Sequence, residues 1–236
     1  MTGPKLFSFL FFLSLISGLS IATTAQIQDR TELQVKLEAL RDQIATKEKV
    51  FLAPSVEDLS AHAEFLRQPN TGLSRLMPRE EYDGKLLTRG GGAYYSFARL
   101  TNEYGFGSDL QLQRGELSVG FAGADFGFLT SLGDVAVDNL NVEQMGVRFL
   151  AAFNTPSLES DAREQYRRAA IGFEAEGFMY RNSLPAILNR TYALRSVNYA
   201  VSDLLVVFRV IRQDTDGSLT LAWKILKKFP VPQLAQ

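Results

Sequence analysis

The sequence has 236 residues, 25 Lys and Arg against 26 Asp and Glu, a net charge of −1, one histidine and no cysteine. Zero cysteine excludes disulfides, thiolate catalysis and cysteine–zinc centres, and a single histidine excludes two-histidine metal sites. The near-neutral balance argues against a nucleic-acid-binding domain, which carries a basic patch or stripe.

Residues 1–25 read as a secretory signal. Lys5 supplies the positive charge of the n-region, residues 6–22 are uncharged and rich in Leu, Phe and Ile, and Thr23-Thr24-Ala25 supplies a small-residue exit. Cleavage is expected after Ala25. The alternative is an uncleaved signal anchor, since the apolar stretch sits at the lower limit of bilayer-spanning lengths, roughly 17–25 residues. No second apolar stretch is long enough to span. A cysteine-free exported chain points to a bacterial envelope protein, periplasmic in the first instance and secreted in the second.

The spacing predicts a helix over 27–50. Thr31-Glu32-Leu33-Gln34 forms a capping-box pattern, and Leu33, Leu37, Leu40 and Ile44 make a narrow apolar seam. Two readings stay open for that seam: a short coiled coil joining a protein partner or a second copy, or an amphipathic face packed on its own domain. The seam lasts two heptads where a coiled coil usually needs about three to four. A second helix is expected over 56–67, opened by Ser55. Two Pro and five Gly between 69 and 92 predict loop. The organisation is therefore read as a signal peptide at 1–25, a helical N-terminal region and linker at 26–88, and a globular domain at 89–236.

Beyond Gly92 the apolar period becomes two. Leu110 and Leu112, a turn at Arg114-Gly115, then Leu117 and Val119 predict a hairpin, with a third strand over 126–130. Val147, Phe149, Ala151 and Phe153 alternate in the same way. Thr155-Pro156 is expected to open a helix to Ala169, carrying Glu159–Arg163 and Glu164–Arg168 pairs. Ile171, Phe173 and Ala175 suggest a further strand. Residues 204–211 read as a strand buried on both faces, turned by Asp214-Thr215-Asp216-Gly217 into Leu219, Leu221, Trp223 and Ile225 on one face of the next. Pro230 and Pro232 end the pairing. The Gly and Phe alternation over 105–133 is also compatible with an outer-membrane barrel, but the segments are short and helices intervene. The fold class is α+β: N-terminal helices followed by a largely antiparallel β-sheet with one inserted helix.

Four groups of residues are candidates for chemistry. Asp214-Thr215-Asp216-Gly217 resembles the start of a calcium loop, but the twelfth position, which should be glutamate, is Ile225, and turn chemistry accounts for the acids. Arg89-Gly90-Gly91-Gly92 lacks a following helix and is read as a joint rather than a phosphate loop. His62, the sole histidine, is read as structural. Glu174 and Glu176 would lie on one strand face about 7 Å apart, a spacing compatible with paired-carboxylate hydrolysis; Asp125, Asp134 and Asp138 are further acids near Gly-rich turns. No cofactor or metal is expected, and no catalytic residue is assigned.

The segment from Thr191-Tyr192-Ala193-Leu194-Arg195-Ser196 through Asp203-Leu204-Leu205-Val206-Val207-Phe208-Arg209 and Asp214-Thr215-Asp216-Gly217-Ser218 to Trp223-Lys224 resembles a C-terminal module of uncharacterised exported bacterial proteins. The resemblance covers the 190–230 segment. It implies a bacterial exported origin and no activity. A non-enzymatic binding or structural module is the leading expectation, with a periplasmic carboxylate-dependent hydrolase as the alternative.

Overall fold

The computed structural model describes residues 10–82, 92–102, 105 and 107–235, with side chains from Asp29 onward. Contacts divide the chain into two units, Met1–Lys47 and Glu48–Gln236. Helix α1 spans Leu10–Phe51. It therefore begins well before Thr31, and the expected capping box does not form: Gln34 donates forward to Glu38 at 3.1 Å instead of reaching back. The Glu32–Lys36 pair does form, at 2.7 Å. Leu33, Leu37, Leu40 and Ile44 are 58%, 53%, 53% and 39% exposed. Among the described residues no helix is long and apolar enough to cross a membrane.

The second unit is built on a five-stranded antiparallel sheet. In chain order its strands are β1 (Thr71–Leu76), β5 (Phe126–Gly133), β9 (Thr191–Asn198), β10 (Ser202–Gln213) and β11 (Leu219–Lys228), and their order in space is β1-β11-β10-β9-β5. A second sheet joins β2 (Tyr94–Tyr95), β3 (Leu110–Gln113), β4 (Glu116–Ser118) and β8 (Ser183–Pro185). A small hairpin pairs β6 (Phe173–Ala175) with β7 (Phe178–Tyr180). The helices are α2 (Val56–Ala61), α3 (Arg79–Tyr82), α4 (Arg148–Ala152) and α5 (Glu159–Ile171). This is an α+β architecture.

Alternation along the central strand sets the layers. Leu204, Val206, Phe208 and Val210 of β10 point into one core with Leu219, Leu221 and Trp223 of β11, and there they meet Leu110, Leu112 and Leu117 of the second sheet. Leu205 and Val207 point the other way, into a core closed by Leu150 of α4, Ala162 and Ala169 of α5, and Tyr180 of β7. The five-stranded sheet is thus covered on both faces, which explains the near-continuous apolar run of β10. Tyr192 of β9 ties the layers together: its hydroxyl donates to the Pro185 carbonyl at 2.6 Å and accepts from the Ile187 amide at 3.0 Å.

Several expectations are corrected. The segment 69–92, read as loop, contains edge strand β1, paired along its whole length with β11, and α3. Gly72, a residue that favours loops, stands in the strand because Trp223, directly opposite, occupies the space of a side chain. The helix over 56–67 breaks after Ala61 and resumes as a single 3-10 turn at Phe65–Arg67, though Ser55 does cap it by accepting from the Asp58 amide. Arg148–Ala152 form α4 rather than a strand; the apolar run from Phe149 to Phe153 fits either period. Helix α5 starts at Glu159, since the Thr155 hydroxyl is committed to Asp203 and cannot cap. Glu159 pairs with Arg163 at 2.6 Å, but Glu164 takes Arg167 rather than Arg168, whose guanidinium lies 3.7 Å from the Phe173 ring centroid.

A Cβ added at Gly72 would lie 2.2 Å from Trp223 Cζ2. Gly72→Val is therefore expected to lower stability by about 1–3 kcal/mol through overpacking, read as a lower urea midpoint by circular dichroism with an unchanged slope.

Candidate functional site

The most deeply built polar cluster lies where β9 turns into β10. Strand alternation puts Arg195 on the same face as Ala193 and Val197, inside the helix-covered core, where its side chain is 1% exposed. Burying a guanidinium costs several kcal/mol unless every donor is paired. Here Nε and Nη2 grip the two carboxylate oxygens of Asp203, which opens β10, and Nη1 donates to the Leu150 carbonyl at 2.8 Å. That carbonyl belongs to the last turn of α4, an end that lacks intrahelical donors. The Thr155 hydroxyl completes Asp203 at 2.6 Å. Burial pushes the Arg195 guanidinium down from its ordinary value, while Asp203 opposes this.

The C-terminal segment lies over this pair. The Phe229 ring centroid is 3.1 Å from the guanidinium carbon of Arg195. The Phe229 amide donates to the Asp203 carbonyl at 2.9 Å, the Ala200 amide to Pro232 at 2.9 Å, and the Ala235 amide to Ser157 at 2.7 Å. Between this segment and residues 151–157 is a cleft of about 460 Å³, with Arg195, Asp203 and Lys227 among its lining. Within it both oxygens of Asp203 accept hydrogen bonds and all three guanidinium nitrogens of Arg195 donate. The arrangement anchors the end of the chain to the sheet.

A second buried acid sits between the two sheets. Asp109, just before β3, is fully buried. It accepts from the Phe97 amide at 2.7 Å, Ser196 at 2.6 Å and Asn198 at 2.9 Å. Burial pushes its carboxyl above the ordinary aspartate range, against the pull of these hydrogen bonds. Asp125, on the turn before β5, is a third. Its Oδ1 accepts from the Tyr199 amide at 2.9 Å, and burial, assisted by the charge of Asp109, raises its carboxyl as well.

The residues singled out from the sequence do not converge. Glu174 lies in β6, but Glu176 occupies the β6–β7 turn at φ 51° and pairs with Arg148 at 3.2 Å, so the two do not share a strand face. Asp134 is exposed and paired with Arg209 at 2.7 Å; Asp138 sits in a 3-10 turn at Val137–Asn139. His62 caps the end of α2, its Nδ1 donating to the Asp58 carbonyl at 3.0 Å. Arg89, Gly90 and Gly91 lie outside the described residues; Gly92 adopts φ 83° with Leu52 and Met77 filling the space of a side chain.

Asp214-Thr215-Asp216-Gly217 is the β10–β11 turn, with Gly217 at φ 81°. Its acids face cations and hydroxyls of the protein: Asp214 takes Arg75 at 2.9 Å and Arg212 at 2.6 Å, and Asp216 accepts from Ser218 and Tyr82, both at 2.6 Å. The Asp214 carboxyl is lowered chiefly by Arg212. That of Asp216 is lowered to about 2, burial being outweighed by bonds from Ser218 and Tyr82 and by the Arg75 charge. Among the described residues no group of three acids or histidines is placed to hold a metal ion.

Sequence reasoning missed Arg195, Asp203 and Asp109 as partners. One signal was present: Arg195 stands between Ala193 and Val197 on one strand face, and a charge in such a place needs a buried counterpart. Comparison with protein-family models, with curated proteins and with solved structures found no match.

Arg195→Ala is expected to cost about 3–5 kcal/mol by leaving Asp203 buried and unpaired, and the double variant Arg195→Met, Asp203→Leu less; chemical denaturation distinguishes them. For Asp109, a folded-state value above the unfolded one makes its contribution to stability present at acid pH and lost as pH rises through the folded value. The stability of the wild type relative to Asp109→Asn should therefore fall as pH rises above about 4, the unfolded aspartate value, and a difference that stays constant above it would contradict the assignment.

Proposed function

We propose that the protein is an exported bacterial envelope protein, periplasmic after cleavage at Ala25, that acts by binding rather than by catalysis. The seam of Leu33, Leu37, Leu40 and Ile44 docks on the same seam of a second copy. The observation that carries the reading is the exposure of these four side chains along one line of α1. Spacings of four, three and four are those at which paired helices interlock, and an identical seam supplies the matching holes. The N-terminal apolar segment and the resemblance of the 190–230 segment to exported bacterial proteins support the compartment.

The flanking charges favour one orientation. In a parallel pair, Lys36 of one copy would face Arg41 of the other, a like-charge contact. In an antiparallel pair, Lys36 faces Gln43 and Arg41 faces Gln34, with no repulsion. Two heptads make a short seam, so association should depend on concentration.

Two measurements check this. Residues 1–25 fused to a reporter active only outside the cytoplasm should give signal, and silence would remove the compartment. Sedimentation of the exported protein should show a concentration-dependent dimer that Leu37→Glu, Leu40→Glu reduces to monomer. The substituted positions are exposed, so the fold should be retained, and unchanged sedimentation would refute the seam contact.

A further inference from the structure

We infer that the cleft between the 120–125 turn and helix α5 is a binding site for a neutral, polyhydroxylated ring: a single saccharide unit. The cleft has a volume of about 270 Å³ and is lined by Gly120, Phe121, Ala122, Gly123 and Asp125 on one side and by Arg163, Tyr166 and Arg167 on the other. That volume is at the lower end of small-molecule sites, which run from roughly 300 to 1,000 Å³, and it limits the ligand to a ring or two.

The lining carries unused hydrogen-bonding capacity of both signs. Asp125 is 7% exposed. Its Oδ1 is held by the Tyr199 amide, whereas Oδ2 accepts no hydrogen bond among the described residues. Asp125 lines the cleft, so a ligand hydroxyl there can donate to this oxygen in place of water. Arg163 and Arg167 each use Nε and Nη2 on a neighbouring glutamate, at 2.6–2.8 Å and 2.6–3.1 Å. Both side chains are more than half exposed, so their Nη1 groups can exchange water for a ligand acceptor.

Charge narrows the ligand. Two guanidinium groups repel a simple cation, and the Asp125 carboxylate repels a simple anion. A neutral group that donates and accepts through adjacent hydroxyls satisfies both. Phe121 and Tyr166 supply aromatic surface for the apolar face of a ring, and Gly123, with nothing within 4 Å of where a Cβ would be, leaves the entrance open. The site is separate from the helix seam, so the two can fail independently.

The test titrates the methyl glycosides of glucose, galactose, mannose and N-acetylglucosamine, and separately glycine, into the isotopically labelled exported protein, following the amides of Gly120, Gly123 and Asp125 by NMR. At least one glycoside should give saturable shifts. Asp125→Asn keeps an acceptor for the Tyr199 amide but can turn a donor towards the cleft; it should weaken binding about tenfold or more and leave sedimentation unchanged. Arg167→Gln, at an exposed position, should also weaken it and guards against a folding defect in the first variant. Absence of saturable shifts with all four glycosides, undiminished binding by both variants, or response to glycine alone would each overturn the assignment.

Discussion

The second unit depends on one strand being apolar on both faces. β10 sends Leu204, Val206, Phe208 and Val210 to one side and Leu205 and Val207 to the other, and all six are buried. Each such side chain contributes about 1.5–3 kcal/mol only if water is excluded from it. A single covering layer would protect half of them. The chain therefore supplies two unlike covers: a four-stranded sheet on one side, and on the other α4, α5 and the β6–β7 hairpin. The long loops and short helices between 134 and 180 follow from the need to close that second face.

The polar interior is concentrated around the turn from β9 to β10. Within it Arg195 reaches Asp203, Ser196 and Asn198 reach Asp109, and the Tyr199 amide reaches Asp125. Alternation sends Arg195 to the helical side and Ser196 and Asn198 to the sheet side, so one strand end organises buried acids in both cores. Interiors tolerate such groups only when their bonds are complete. Asp203 and Asp109 meet that condition with protein groups. Asp125 meets it on one oxygen, which accepts from the Tyr199 amide.

The C-terminal hairpin was legible because period-two alternation, a run apolar on both faces and an Asp/Gly turn agreed with one another. The β3–β4 hairpin was legible for the same reason, down to the Arg114-Gly115 turn. Misreadings came where local pattern was outvoted by a distant partner. Gly72 suggests a loop until Trp223 is seen opposite it, and Thr155-Pro156 has the form of a helix start until Asp203 claims the hydroxyl. Glu174 and Glu176 have strand spacing, but Glu176-Gly177 takes the positive φ angles, 51° and 79°, of a tight hairpin turn. The buried acids pair with residues 74 to 89 positions away for Asp125 and Asp109, a separation that no local pattern encodes.

Trp223 is the only tryptophan in the chain. It is 4% exposed, with its ring over Gly72 and edge-on to Phe97 at 5.6 Å, in the layer between the two large sheets. Its fluorescence thus arises from one place, the joint where the small sheet meets the large one. A red shift in emission without loss of far-ultraviolet dichroism would report those layers parting while each retains its ladder, so the native chain carries its own optical gauge of how cooperatively its sandwich comes apart.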